Sequence, residues 1–128
     1  MAKRILQVLE SAYRGTLEEQ DDTVVWISHA MKGAGAELGL LLRGACVNYA
    51  VRGQDASGLA FGERRQTQPP QLEQELARLA GKGVEVAYVE DDADERGLRR
   101  ADLIDGVRPV RAADLPRIFE SYDLVWQW

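Results

Sequence analysis

Apolar residues along this chain fall in short runs separated by polar, glycine-bearing stretches, and the runs are of two kinds. Ile5-Leu6-Gln7-Val8-Leu9 is almost continuously aliphatic over five residues, which suits a buried strand better than a helix. Ser11 to Gln20 reads as a loop. Val24, Ile27 and Met31 then recur at helical spacing behind Asp21 or Asp22, either of which can cap the helix, and Gly33-Ala34-Gly35 stops it. Trp26, His29 and Ala30 share a second face of that helix, so it is expected to bury two sides, with a subunit contact as one way to cover the second.

Glu37 to Leu42, with Leu38, Leu40, Leu41 and Leu42, is the second predicted strand, ended by Gly44, and Cys46 to Val51 is a short helix. From Gly53 to Pro70 no apolar period is visible, and the only large apolar residues are Leu59 and Phe61, so this is an unusually long loop. A helix carrying Leu72, Leu76 and Leu79 starts after Pro69-Pro70 and stops at Gly81 or Gly83. Val84 to Val89 is the third strand. Asp91 or Asp92 is expected to cap a short helix that reaches Arg96 and ends at Gly97. Val107 to Val110 is a fourth strand, placed at a sheet edge because Pro109 cannot donate to a ladder. Asp114 is read as the cap of a last helix with Pro116 in its first turn and Ile118 and Phe119 on its inner side. Leu124 to Trp128 alternates as a fifth strand.

Strands alternating with helices predict βαβ units, a mainly parallel sheet and helices on both faces, all within one domain over 1–128. Ligands of such sheets bind beyond the carboxyl ends of the strands. Here those ends lead into Glu10 to Tyr13, Gly44 to Asn48 and Glu90 to Asp92.

Composition narrows the function. Sixteen basic against twenty-one acidic side chains give a formal charge of −5, which opposes nonspecific binding to nucleic acid or an anionic membrane, and neither is expected as a partner. The apolar start is too short for a signal-peptide core and no run reaches bilayer length. A single cysteine, Cys46, fits a reducing compartment, so the cytoplasm is the expected location.

Candidate chemistry is sparse. Cys46 follows the second strand at the start of the short helix, where unpaired N–H groups favour a thiolate and sulfur acceptance; the alternative is a small buried hydrophobe. His29, the only histidine, is expected in a polar or subunit contact, since a Cys-His pair would need it to meet Cys46. Glu90, Asp91, Asp92, Asp94 and Glu95 could hold a hard cation, but serve more simply as cap and first-turn partners of a helix. No metal site and no cofactor are expected, and Gly33-Ala34-Gly35 precedes a strand, the wrong order for a dinucleotide fingerprint. Arg64 and Arg65 are either an anion contact or a solvated pair. Trp126 and Trp128 are either interface anchors, with Trp26, His29 and Phe61, or rings covering the sheet.

Gly83-Val84-Glu85-Val86 running through Val89-Glu90-Asp91-Asp92 to Glu95-Arg96-Gly97-Leu98 resembles the DsrE-like sulfur-relay family, the group of DsrE/DsrF/DsrH and TusD/C/B-type proteins. Leu42-Arg43-Gly44-Ala45-Cys46-Val47 and the aromatic run Tyr122 to Trp128 add to the likeness, which spans nearly the whole chain. The resemblance implies a three-layer α/β/α sandwich with strand order 4-3-2-1-5, trimers or hexamers of this chain or mixed assemblies with DsrE-family subunits, sulfur-carrier partners, and handling of cysteine persulfide. Catalytic members carry a cysteine in the loop after the third strand. Here Val89, Glu90, Asp91 and Asp92 stand in that loop, and no carboxylate accepts sulfur as a persulfide.

Three readings follow. The first is a structural or partner-binding protomer of a sulfur-relay oligomer. Its rivals are a sulfurtransferase using Cys46, and a small-ligand or anion-binding protein on the same fold, with Arg43, Asn48, Glu90, Asp91 or the Arg64-Arg65 pair at its crevice.

Overall fold

The computed structural model describes residues 3–11 and 22–128. The loop expected from Ser11, the alternative cap Asp21 and the crevice segment up to Tyr13 therefore lie largely outside the described residues.

Five strands form one sheet, β1 (Arg4–Leu9), β2 (Glu37–Leu42), β5 (Glu85–Val89), β6 (Val107–Val110) and β7 (Leu124–Gln127). Every pairing in it is parallel, and the spatial order is β6-β5-β2-β1-β7. Counted along these five strands, that is the expected order 4-3-2-1-5, with the Pro109 strand at an edge. The central three strands read as near-continuous aliphatic runs because both their faces are covered.

On one face lie α1 (Thr23–Gly33), α2 (Leu72–Gly81) and α3 (Glu90–Glu95), which close a core around Leu9, Val25, Leu40, Leu42, Cys46, Val47, Leu76, Leu79, Val86 and Tyr88. On the other lies α4 (Leu115–Glu120), covering Leu6, Val8, Leu41, Ala87, Val89 and Val110 with Leu115, Ile118, Phe119 and Tyr122. Full burial of one such leucine is worth about 1.5–3 kcal/mol, so the leucine run of β2 is a main source of stability. Gly39 interrupts that run because the Tyr122 ring lies across the strand, and a Cβ there would run into its hydroxyl.

Several local expectations change. In α1 the buried residues are Val25 and Ser28, with Val24 and Met31 partly buried, while Ile27 is exposed. The helix docks one position round from the predicted stripe, and Ser28 is tolerated inside because its hydroxyl donates to the Val24 carbonyl at 2.7 Å. On the helix's second face Trp26 is 56% exposed and Ala30 is exposed, while His29 is partly buried, so the described residues cover that face only in part. The short helix after β2 is a 3₁₀ segment over Gly44–Ala50, starting two residues earlier than read. The loop Gly53 to Pro70 contains an antiparallel hairpin of β3 (Ala60–Phe61) and β4 (Arg64–Arg65) around Gly62, whose φ is +61°. Two-residue strands carry no alternation for a pattern reading to detect.

The two expected aspartate caps are also corrected. α3 begins at Glu90, directly after Val89, so Asp91 and Asp92 lie inside the helix and no side chain caps it. Asp114 stands at the N-cap position of α4, but a 3₁₀ turn over Ala112–Asp114 holds its backbone helical and its side chain makes no cap bond. Asp22, by contrast, caps α1 as expected, with one carboxylate oxygen accepting from the amides of Val24 and Val25 at 2.9 and 3.0 Å.

Candidate functional site

The carboxyl ends of β1, β2 and β5 bring three chain segments together. Glu10 follows β1, the 3₁₀ turn with Cys46 follows β2, and α3 follows β5. Gly44, with φ +56°, turns its amide toward α3 and donates to the Asp92 carboxylate at 2.7 Å. Asp92 is thus the tie between the second and third segments. Sequence reasoning assigned it to a cap, and only the glycine at the turn hinted that an amide was aimed elsewhere.

The rest of the acidic cluster is occupied in the same way. Arg100 grips Glu90 with two bonds of 2.6 and 3.0 Å, the bidentate geometry that makes arginine–carboxylate pairs strong. Arg111 reaches Glu90, Asp91 and Asp94 at 3.5, 3.2 and 3.3 Å, and the Ala112 amide donates to Asp91 at 2.9 Å. Pairing with Arg100 holds the Glu90 carboxyl below the usual range. Among the described residues no group of three or more histidine, cysteine or acidic side chains is arranged to hold a metal.

Cys46 has no exposed surface. Burial pushes its thiol from 9.0 up to about 11; the Tyr49 hydroxyl draws it partly back, and the negative charges of Asp22 and Glu10 push it further. Tyr49 is itself buried and donates to the second oxygen of Asp22 at 2.7 Å. Its phenol is raised, first by burial and then by the Asp22 bond. One buried aspartate thus anchors a helix start and fixes the tyrosine beside the only thiol. The turn start at Gly44 does not make a thiolate of Cys46, because loss of water outweighs the local N–H groups.

The other predicted residues are spread out. Arg43 belongs to the ladder through its amide, which donates to the Leu9 carbonyl at 2.9 Å. The Asn48 amide group turns back onto the Ala45 carbonyl at 2.9 Å. Glu90 lines a cleft of about 290 Å³ with Arg100, Arg108, Arg111, Asp114 and Arg117, on the β6 side of the sheet, and neither Arg43, Cys46, Asn48 nor Asp91 lines it. Arg64 and Arg65 sit on the exposed hairpin with Phe61. His29 faces α2, where its Nε2 meets the Glu75 carbonyl and its Nδ1 meets Lys82 Nζ, each at 3.0 Å. Its partners are those of a helix–helix contact, not Cys46. Trp126 and Trp128 are 39% and 50% exposed, and the Trp128 indole donates to the buried Gln7 amide oxygen at 2.7 Å.

No family model and no curated protein matches this sequence. Solved structures do match in shape. YchN of E. coli superposes with a TM-score of 0.73 over all of both chains at 22% identity. MTH1491 of Methanobacterium thermoautotrophicum, a protein of unknown function, superposes with a TM-score of 0.59, again over all of both chains, at 14% identity. Both likenesses are of fold, a five-stranded parallel α/β sheet covered on both faces. No helix of the described residues is long and apolar enough to cross a membrane.

Proposed function

We propose that this chain is a DsrE-like protomer of a cytoplasmic sulfur-relay assembly, built as a trimer or hexamer of itself or with other DsrE-family subunits, and that it serves structure and partner binding instead of carrying persulfide. The observation behind this reading is the closure of the site. Where the family resemblance expects a reactive thiol, Glu90, Asp91 and Asp92 are tied to Arg100, Arg111, Ala112 and Gly44. The one thiol is fully buried and raised to about 11, so at neutral pH its thiolate fraction is on the order of one in ten thousand. The fold likeness to YchN supports the architecture of the reading, and the resemblance in sequence supports its sulfur context.

Thiol titration tests the role given to Cys46. Native protein at neutral pH should react with a disulfide reagent at least about a hundredfold more slowly than protein unfolded in denaturant, because burial and the raised pKa act together. Rapid stoichiometric modification of the native chain would instead favour the sulfurtransferase reading.

A further inference from the structure

The cleft of about 290 Å³ on the β6 side of the sheet has an apolar floor of Pro109, Val110 and Ile118 between charged walls. Strand alternation sends Arg108 and Val110 to the same side of the sheet, the one that α4 covers. The backbone of Asp114 is already helical, so Arg117 and Ile118, three and four residues further on, share its face toward the cleft.

The ion pairs decide which of these charges are open to a ligand. On the α3 wall Arg100 holds Glu90 through Nε and Nη2, and Arg111 holds Glu90, Asp91 and Asp94. Two arginines against three carboxylates leave no positive surplus there, so a dianion such as phosphate meets no net attraction. Arg108 holds Glu85 through one terminal nitrogen. Arg117 and Asp114 are different: among the described residues no ion pair and no side-chain hydrogen bond engages either, and they do not pair with each other. One open cation and one open anion fit a ligand that brings both charges itself. Arg100 Nη1 and the remaining nitrogens of Arg108 are further donors without an acceptor among the described residues, which suits a carboxylate, since it takes several hydrogen bonds at once.

We propose that this cleft binds a free α-amino acid with an apolar side chain, its carboxylate on Arg117 and Arg108, its ammonium on Asp114, and its side chain over Pro109, Val110 and Ile118. The volume lies at the lower limit of small-molecule sites, too small for a cofactor. No aromatic ring lines the cleft, so a nucleobase has no surface to stack on. A zwitterion also approaches a chain of formal charge −5 without the repulsion that an anion meets. No thiol lines the cleft, so the inference stands apart from the sulfur reading, and its failure leaves that reading as it is.

Calorimetric titration with L-methionine at low ionic strength tests it, and binding is expected with a dissociation constant of about 1 mM or tighter. N-acetyl-L-methionine lacks the ammonium and L-methioninamide lacks the carboxylate, and each should bind at least about fivefold more weakly. Arg117→Gln and Asp114→Asn should reduce the affinity for L-methionine by a similar factor. Their melting temperatures should stay at the wild-type value, because neither side chain holds a bond in the fold. Arg64→Gln, the same change of charge on the exposed hairpin outside the cleft, should leave the affinity unaltered. Absence of binding at about 10 mM L-methionine overturns the assignment. So does a blocked form that binds as well as L-methionine, which would point to a peptide terminus, or a loss in Arg64→Gln equal to that in Arg117→Gln.

Discussion

Replacing Asp22 with alanine should destabilise the protein by about 2–4 kcal/mol, the largest effect expected of any single polar side chain in it. Two losses combine. The amides of Val24 and Val25 lose the carboxylate that caps α1, worth about 0.5–2 kcal/mol, and the buried Tyr49 hydroxyl loses its acceptor, at a further cost of about 1–3 kcal/mol. Asp22→Asn keeps an oxygen for the cap and should lose only about 1 kcal/mol. Tyr49→Phe removes the stranded hydroxyl, so the double variant Asp22→Ala with Tyr49→Phe should be less than additive. Denaturant unfolding of the wild type and these four variants measures this. A loss below about 0.5 kcal/mol in Asp22→Ala would mean that the cap and the tyrosine bond are not formed together in solution.

Stability should also fall steeply between pH 9 and pH 11. Cys46 is raised to about 11 in the fold from an ordinary value of 9.0. Above pH 9 the unfolded thiol therefore releases its proton while the folded thiol keeps it. The native state then binds more protons than the unfolded one, so stability is full below pH 9 and is lost as pH rises through the folded value. The two-unit gap corresponds to a loss on the order of 2–3 kcal/mol. Tyr49, raised by burial and by Asp22, adds a loss of the same sign from pH 10 upward. Cys46→Ala should remove the first part and leave the second. Unfolding free energies of both proteins at pH 8 and pH 11 give the comparison, and parallel losses would show that the thiol is hydrated in the native state.

Much of the fold was legible because burial on both faces leaves a plain mark. Ile5 to Leu9, Leu38 to Leu42 and Val84 to Val89 are aliphatic runs of strand length, and glycine or proline bounds α1 and α2. What was not legible depends on which surface a helix meets or where a carboxylate points. Ile27 and Ser28 differ by one helical position, and only the docked sheet decides that the serine goes inside. Asp91 and Asp92 look like caps from sequence, yet Ala112 and Gly44, both distant in the chain, own their oxygens. The same holds at the site: Cys46 was foreseen as the sole thiol, but the Asp22–Tyr49 pair that seals it comes from a contact across twenty-seven residues.

The sulfur question is decided by loading the protein from a small persulfide donor and reading its intact mass. A thiolate attacks the donor's terminal sulfur, the donor leaves as its thiolate, and the protein gains one sulfur atom. Glu90→Cys would set a thiol where Arg100 and Arg111 now hold a carboxylate, and two guanidinium groups favour a thiolate there. The account predicts no gain of sulfur by the native wild type and a gain by Glu90→Cys in a Cys46→Ser background. Sulfur gained by the native wild type at Cys46, as fast as by Glu90→Cys, would contradict it and make this chain a carrier.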